Sequence, residues 1–119
     1  DFDFAMESAV FLEILETLAD SPLGVQFDTA NPMVAGEETL PLFEKVSPRI
    51  RYVHINDVER AGEFRFVTVG TGIVPNSEVI RRLRAQGYSG WLGIEEASRT
   101  GQDGFRQAVK NVRRWLQEA

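Results

Sequence analysis

The sequence predicts an α/β fold, namely a partial (βα)8 TIM barrel in which parallel strands follow the order α-βα-βα-βα. The first observation is that segments of helical and strand periodicity alternate, as in parallel strands joined by right-handed crossovers. The second is that each strand segment has one branched apolar face and one face with polar groups near its carboxyl end. Only one sheet face is therefore suited to a helix layer. A barrel has this arrangement, whereas a doubly wound sheet is covered on both faces.

Apolar stripes at helical spacing predict the helices. They span residues 5–19, 37–46, 76–87 and 105–119. Asn76 or Ser77 is the candidate N-cap of the third helix, and Gly87 is its candidate end. The segments 29–36 and 100–104 between these helices and the strands are predicted to be loops.

Three strands alternate with the helices, over residues 23–28, 51–57 and 91–96. Their apolar side chains alternate with polar or small ones at every second position, which is the period of a strand. The face opposite the apolar one carries Gln26, Asp28, Tyr52, His54, Asn56, Trp91, Gly93 and Glu95. A long connection, residues 58–74, follows the second strand.

The composition predicts a single domain, residues 1–119, with a net charge of −5. The densest basic clusters lie on amphipathic helices and are interpreted as solvated faces rather than as a nucleic-acid footprint. The chain has no cysteine, which excludes disulfides, thiolate metal sites and a cysteine nucleophile. No apolar run suits a membrane span, and no signal peptide is visible. We therefore expect a cytoplasmic protein with neither nucleic acid nor membrane as a partner.

Asp28, His54 and Glu95 stand at similar levels on the polar faces of the three strands. In a parallel sheet these side chains converge at the carboxyl edge, where the active sites of barrels form. Two carboxylates and one imidazole suit Mn²⁺, Mg²⁺, Co²⁺ or Zn²⁺. Each residue alone has a simpler explanation, as a loop cap, a satisfied polar side chain or the partner of an arginine. The threefold coincidence favours a metal site with His54 as a ligand.

The segments VQFDTAN, YVHIND, VGTG and GYSGWLGIEE occur in the order and at the spacing of a known family. They resemble the C-terminal half of the xylose isomerase-like barrel superfamily, in particular its sugar phosphate isomerase/epimerase group. The resemblance implies that Asp28 of FDTAN, His54 of HIND and Glu95 of GIEE bind a divalent metal. It also implies that Glu95 is catalytic, as one of the two glutamates that act as acid and base in the epimerases. The relatives include inosose dehydratases and a DNA repair enzyme of the endonuclease IV type.

Two positions depart from the pattern of this family. The family's first metal-binding glutamate ends a strand before the opening helix, but the chain starts with DFDF, and neither that strand nor its glutamate is found. Asp1 and Asp3 are the candidate substitutes, on a terminus that is a poor scaffold for a ligand. Asn31 stands where some epimerases carry a substrate-contacting histidine. Asn31 and Arg65 are the candidate substrate-binding residues, and Arg60 is an alternative to Arg65. The simpler explanation of either arginine is a solvated charge on a loop.

Two further motifs are given a structural interpretation. Asp57, in the pattern His-x-x-Asp, points away from His54 in a regular strand and is predicted to orient the loop that follows. In the endonuclease relatives an acid nearby binds a second metal, but the other histidines of that site are absent here. Gly70-Thr71-Gly72 lacks the lysine of a phosphate loop and does not directly follow a strand. It is predicted to be a turn that brings the chain close to the site.

These observations predict half of a divalent-metal-dependent isomerase or epimerase that transfers a proton next to a carbonyl of a small sugar or sugar phosphate. The alternative is a catalytically inert structural half-barrel, which the missing first glutamate favours. Three strands cannot close a barrel, and open sheet edges recruit partners. The chain is therefore expected to be a fragment of a longer enzyme, to form a homodimer about a two-fold axis, or to pair with a complementary N-terminal half-barrel.

Overall fold

A computed structural model describes residues 7–119 and contains a sheet of three parallel strands, which lie side by side in chain order. The strands are β1 (Val25–Asp28), β2 (Ile50–Ile55) and β3 (Trp91–Ile94). The α-helices are α1 (Ser8–Thr17), α2 (Asn31–Val34), α3 (Thr39–Val46), α4 (Asn76–Ala85) and α5 (Gly101–Glu118). The predicted α/β architecture with parallel strands is confirmed.

The register of the sheet places the candidate site residues next to one another. Asp28 is paired with His54 across β1 and β2, and His54 is paired with Gly93 across β2 and β3. Glu95 follows the end of β3, and its backbone amide donates to the Ile55 carbonyl at 3.0 Å. The carboxyl ends of the three strands therefore form one edge, as parallel pairing requires.

One face of the sheet carries the hydrophobic core. The apolar side chains on this face of β1 and β2 are at most 3% exposed: Val25, Phe27, Val53 and Ile55. They belong to a cluster that includes buried side chains of α3, α4 and α5, and the rings of Phe27 and Phe43 meet edge to face at 5.6 Å. On the opposite face Trp91 is 77% exposed. A sheet with helices on one side and polar groups on the other matches a segment of barrel wall.

The segment 29–36, predicted to be a loop, contains the short helix α2. The Asp28 carboxylate accepts hydrogen bonds from the Ala30 and Asn31 amides, and Pro32 lies in the first turn. Both features favour the start of a helix, because they satisfy or remove amide donors that have no partner within it. The loop prediction is therefore wrong for the middle of this segment.

Helix α5 begins at Gly101, so the loop prediction for residues 100–104 is wrong as well. Glycine is a poor helix former, which is why this segment reads as a loop. In the structure Gly104 is buried, and a Cβ atom at this position would lie 2.1 Å from Thr100 Oγ1. This glycine allows a close approach of backbone to side chain and does not break the helix.

The helix predicted over residues 76–87 is α4 in the structure. It ends as predicted, because Gly87 follows it with a φ angle of 73° and closes the last turn. Its start at Asn76 is also as predicted, but the prediction of its N-cap is wrong. Pro75 occupies the N-cap position, and neither Asn76 nor Ser77 caps the helix with its side chain. The Asn76 side chain is buried instead and donates to the Asn56 carbonyl at 2.8 Å.

The remaining differences concern element ends. The helix predicted over residues 5–19 spans Ser8–Thr17 in the described part of the chain. Asp1 and Asp3, the candidate substitutes for the family's first glutamate, lie outside the described residues. Across residues 7–119, every helix is too short or too polar to reach from one side of a lipid bilayer to the other.

Candidate metal centre

Asp28, His54 and Glu95 come together at the carboxyl edge of the sheet. Asp28 is the last residue of β1, His54 lies beside it in β2, and Glu95 directly follows β3. Each offers one ligand atom, and these three atoms all lie within 4.8 Å of one another. Three residues that are far apart in the sequence thus form a compact cluster of oxygen and nitrogen donors.

The imidazole of His54 lies at the centre of the cluster. Its Nδ1 is 3.0 Å from Glu95 Oε2 and 3.9 Å from Asp28 Oδ2. The ring packs edge to face on Tyr52 at 5.2 Å, and Gln26 Nε2 lies 3.4 Å from Nδ1. A carboxylate at 3.0 Å accepts a hydrogen bond from a protonated Nδ1. For His54 to hold a cation, its ligating nitrogen would have to be unprotonated, because metal ligands must be deprotonated.

The carboxylate of Asp28 is oriented by the backbone that follows it. Oδ1 accepts hydrogen bonds from the amides of Ala30 at 2.8 Å and Asn31 at 2.9 Å, which leaves Oδ2 facing His54. Burial raises the pKa of Asp28, although these two amides and His54 act in the lowering direction; the negative charge of Glu95 adds to the increase. An oriented, partly desolvated carboxylate is well suited to hold a cation, because it loses little water and little freedom on binding.

The carboxylate of Glu95 is more accessible. Its side chain is 53% exposed, and its described partner is His54 Nδ1. Its backbone is fixed by the bond to the Ile55 carbonyl, which continues the parallel ladder past the end of β3. An accessible carboxylate on an anchored backbone can serve as a metal ligand or accept a proton from a bound substrate.

The chemistry of the donor set fits a divalent cation. Two carboxylates and one imidazole are the ligands of ions that accept mixed oxygen and nitrogen coordination, such as Mn²⁺, Co²⁺ and Zn²⁺, and Mg²⁺ also binds carboxylates. Three protein ligands leave coordination positions for water or a substrate, which is the pattern of a catalytic rather than a structural site. The geometry therefore agrees with the sequence prediction of a metal site, whose metal identity is open.

The two predicted substrate-binding residues have different surroundings. Asn31 begins α2, and its backbone amide binds Asp28, so it lies next to the cluster. Arg65 belongs to the connection 58–74, and its Nε is 2.5 Å from Glu59 Oε2 at the surface. The described contacts of Arg65 therefore tie it to this connection and not to the cluster.

Asp57 organises the connection that follows β2, as its position in the sequence suggests. It is fully buried, and its two oxygens accept hydrogen bonds from the amides of Val58, Gly70, Gly72 and Val74 at 2.8–3.1 Å. Burial raises the pKa of Asp57, while the four amides act in the lowering direction. The Gly70-Thr71-Gly72 turn thus wraps a carboxylate of its own chain.

Sequence reasoning missed Glu96, whose carboxylate joins two segments near the site. Its Oε2 accepts the amide of Val69 at 3.2 Å, and its Oε1 accepts the amide of Ser98 at 3.0 Å. Asn111 of α5 holds the same segment, because its side-chain amide donates to the Val69 carbonyl at 2.8 Å. The sequence feature that could have identified Glu96 is the pair of adjacent acids, Glu95 and Glu96, at the end of a strand.

Comparisons with known proteins identify the family to which this chain is similar. The sequence matches the family described as xylose isomerase-like TIM barrel over residues 4–119. A relative from Bacillus anthracis, named inosose dehydratase, is 28% identical over 131 residues, and the match covers 95% of this chain and 44% of the relative. This chain therefore spans less than half the length of that relative.

Solved structures show the same fold. A xylose isomerase domain protein from Planctomyces limnophilus superposes with a TM-score of 0.78 at 25% identity, over 94% of this chain and 42% of that one. The probable 3-DHS dehydratase AsbF from Bacillus anthracis superposes with a TM-score of 0.77, over 92% of this chain and 45% of that one. At 17% identity the second likeness concerns the fold alone.

Proposed function

Since this chain belongs to the xylose isomerase-like TIM barrel family, we propose that Asp28, His54 and Glu95 hold a divalent cation in an enzyme acting on a small sugar-like substrate. The observation that carries the proposal is the convergence of their ligand atoms within 4.8 Å at the carboxyl edge of a parallel sheet. The reaction is the transfer of a proton at a carbon next to a carbonyl.

The cation supplies polarisation of the substrate's carbonyl oxygen when it is bound. Glu95 is the candidate base, because its carboxylate is the most accessible of the three and its backbone is anchored. It takes the proton from the carbon next to the carbonyl, and the electron pair moves onto the carbonyl oxygen. Asp28 and His54 orient the cluster from the two neighbouring strands.

Two outcomes follow from the resulting enolate. Return of a proton to carbon gives an isomer or an epimer. Departure of a neighbouring hydroxyl group as water, with the proton that Glu95 has taken, gives a dehydrated product. A relative bearing the name inosose dehydratase favours the second outcome for a cyclic polyhydroxy ketone. Asn31, which lies next to the cluster, is the candidate contact for the oxygens of this sugar or sugar phosphate substrate.

The described sheet has two edge strands, β1 and β3, each with one neighbour. Exposed edges favour strand addition, and the exposed aromatic side chains of Trp91 and Phe105 lie on β3 and α5. We propose that the sheet is completed by the rest of a longer enzyme of which this chain is a fragment, by a second copy in a homodimer, or by a complementary N-terminal half-barrel. We further propose a cytoplasmic location, which is compatible with a chain that has no cysteine and hence none of the disulfide bonds typical of secreted proteins.

A metal titration tests the site. Metal-free protein is titrated with Mn²⁺ by isothermal calorimetry, together with His54→Ala and Glu95→Gln variants. Loss of a ligand is expected to weaken Mn²⁺ binding by about 100-fold. This is the upper end of the range for groups that only support a ligand, and a ligand itself contributes at least as much. Glu63→Gln, which removes the same charge from an exposed position in the connection, is the control and keeps the wild-type affinity. Equal affinity of wild type and His54→Ala overturns the proposal.

An activity assay separates the enzyme from the inert half-barrel. Cyclic and open-chain polyhydroxy ketones are incubated with the protein in the presence and absence of Mn²⁺, and product formation is followed by mass spectrometry. Turnover that needs Mn²⁺ and is lost in Glu95→Gln supports the enzyme. Tight Mn²⁺ binding without turnover of any ketone favours the inert alternative.

A further inference from the structure

Two adjacent glutamates follow β3, and their carboxylates have different partners. We propose that Glu96 is a positioning residue for Glu95: its carboxylate fastens the carboxyl end of β3 to the connection after β2 and so sets the place of Glu95 relative to His54. This inference rests on the proposed metal site, in which Glu95 and His54 are ligands.

The carboxylate of Glu96 binds backbone on both sides. Oε1 accepts the amide of Ser98, two residues further along the chain, at 3.0 Å. Oε2 accepts the amide of Val69, which belongs to the connection after β2, at 3.2 Å. Each oxygen thus closes a bond to the main chain, and the half-buried position of Glu96 makes these charge-assisted bonds stronger than bonds in water.

The segment that Glu96 holds is itself rigidly placed. Val69 is fully buried, and its carbonyl accepts the side-chain amide of Asn111 at 2.8 Å. The next amide, that of Gly70, donates to Asp57 Oδ2 at 2.8 Å. Two consecutive amides therefore bind two carboxylates that follow two different strands. Through this bridge the end of β3 is tied to the end of β2, on which His54 lies.

This bridge adds a second anchor to the backbone of Glu95, on the side where the pairing of β3 ends. The regular pairing of β3 with β2 ends at Ile94, and the amide of Glu95 makes one further bond, to the Ile55 carbonyl. Its side chain is half exposed and contacts His54. Glu96 is the next residue, so its two bonds determine where the chain goes directly after the ligand. Without them the backbone of Glu95 gains freedom and the distance to His54 becomes variable.

Amide hydrogen exchange tests the anchoring directly. In Glu96→Gln one carboxylate oxygen becomes an NH₂ group, so the neutral side chain can accept only one of the two amides, Val69 or Ser98, and only in a weaker, uncharged bond. The amides of Val69 and Glu95 are expected to exchange about tenfold faster than in the wild type, because the local opening that exposes them to solvent requires less free energy. The amide of Val53 in the centre of the sheet keeps its rate, as do all these amides in the control Glu63→Gln. Unchanged exchange at Glu95 overturns the proposal.

A double-mutant cycle tests whether the anchor acts through Glu95. Glu96→Gln is expected to weaken Mn²⁺ binding about tenfold, the usual range for a residue that orients a ligand. In a Glu95→Gln background the same change is expected to have no further effect, because the ligand that it positions is gone. An equal loss in both backgrounds overturns the positioning role. If the wild type binds no Mn²⁺, the proposed metal site fails and hydrogen exchange alone decides on Glu96.

Discussion

Asp28 ends β1 and Asp57 follows β2, and burial raises the pKa of both, but their hydrogen bonds differ. Both oxygens of Asp57 accept backbone amides, four in all. Asp28 accepts two amides with Oδ1, while Oδ2 faces His54. The same division separates Glu96, which binds two amides, from Glu95, which contacts His54.

The comparison shows that burial alone does not distinguish a structural acid from a functional one. Asp57 is fully buried and the Asp28 side chain is only 9% exposed, so their surroundings are nearly equally dry. What differs is whether the backbone saturates the carboxylate. The four amides that Asp57 accepts occupy its acceptor sites and leave little capacity for a ligand, whereas Asp28 and Glu95 retain an oxygen directed at the imidazole.

The largest expected effect is the loss of stability in Asp57→Asn. In either orientation the new NH₂ group faces two amide donors, which removes two hydrogen bonds and leaves buried donors unsatisfied. The free energy of unfolding, measured by urea denaturation at neutral pH, is expected to fall by about 3 kcal/mol. Asp20→Asn, at an exposed position, is the control and is expected to change it by less than about 0.5 kcal/mol. Equal stability of the two variants contradicts the structural role of Asp57.

Two crowded glycines sharpen the comparison. A Cβ atom at Gly72 would lie 2.2 Å from the Val58 carbonyl oxygen and 2.3 Å from Asp57 Oδ1. At Gly93 the nearest atom is the Tyr52 hydroxyl oxygen, at 2.4 Å, on a side chain that can rotate away. Thermal or urea unfolding is expected to show a loss of about 2 kcal/mol in Gly72→Ala but about 1 kcal/mol or less in Gly93→Ala. A larger loss of stability in Gly93→Ala than in Gly72→Ala would mean that the metal cluster is more rigid than the region around Asp57.

Asp28→Asn is expected to have a smaller effect on stability. Asparagine keeps an oxygen for the Ala30 and Asn31 amides, as at a helix N-cap, so the free energy of unfolding is expected to change by less than about 1 kcal/mol. Mn²⁺ affinity, measured on the same sample by calorimetry, is expected to fall sharply because the charged ligand is lost. A large loss of stability without a loss of affinity would place Asp28 with the structural acids.

The smallest expected effect is a dependence on pH. The pKa of Asp57 in the folded chain lies above its ordinary value of 3.8, so between these two values the folded state binds more protons than the unfolded state. The free energy of unfolding therefore decreases as pH rises through this window. Subtracting the values of Asp57→Asn, measured by urea denaturation at each pH, isolates this contribution because Asp28 titrates in both proteins. A difference that grows with pH would mean that the folded pKa is lowered.

Local patterns in the sequence predicted much of this fold. Alternation of side chains identified the three strands and their faces, and parallel order then placed Asp28, His54 and Glu95 at one edge. The anchors could not be predicted in the same way, because Glu96 binds an amide 27 residues earlier and no local pattern specifies such a partner. Helix α5 was missed at its start because Gly101 and Gly104 are poor helix formers, and the close packing of Gly104 on Thr100 forms only when the segment 96–104 has folded.

Each of the three ligands in the candidate centre comes from a different strand, and the strands are joined by crossovers and not by hairpins. No short stretch of the chain therefore contains two of the three ligands, so the centre cannot form in part before the strands pair. It is complete only when the last strand has docked, which long-range parallel pairing makes slow. Any cation held there would stabilise the fully assembled sheet, and fraying at either edge strand would release it.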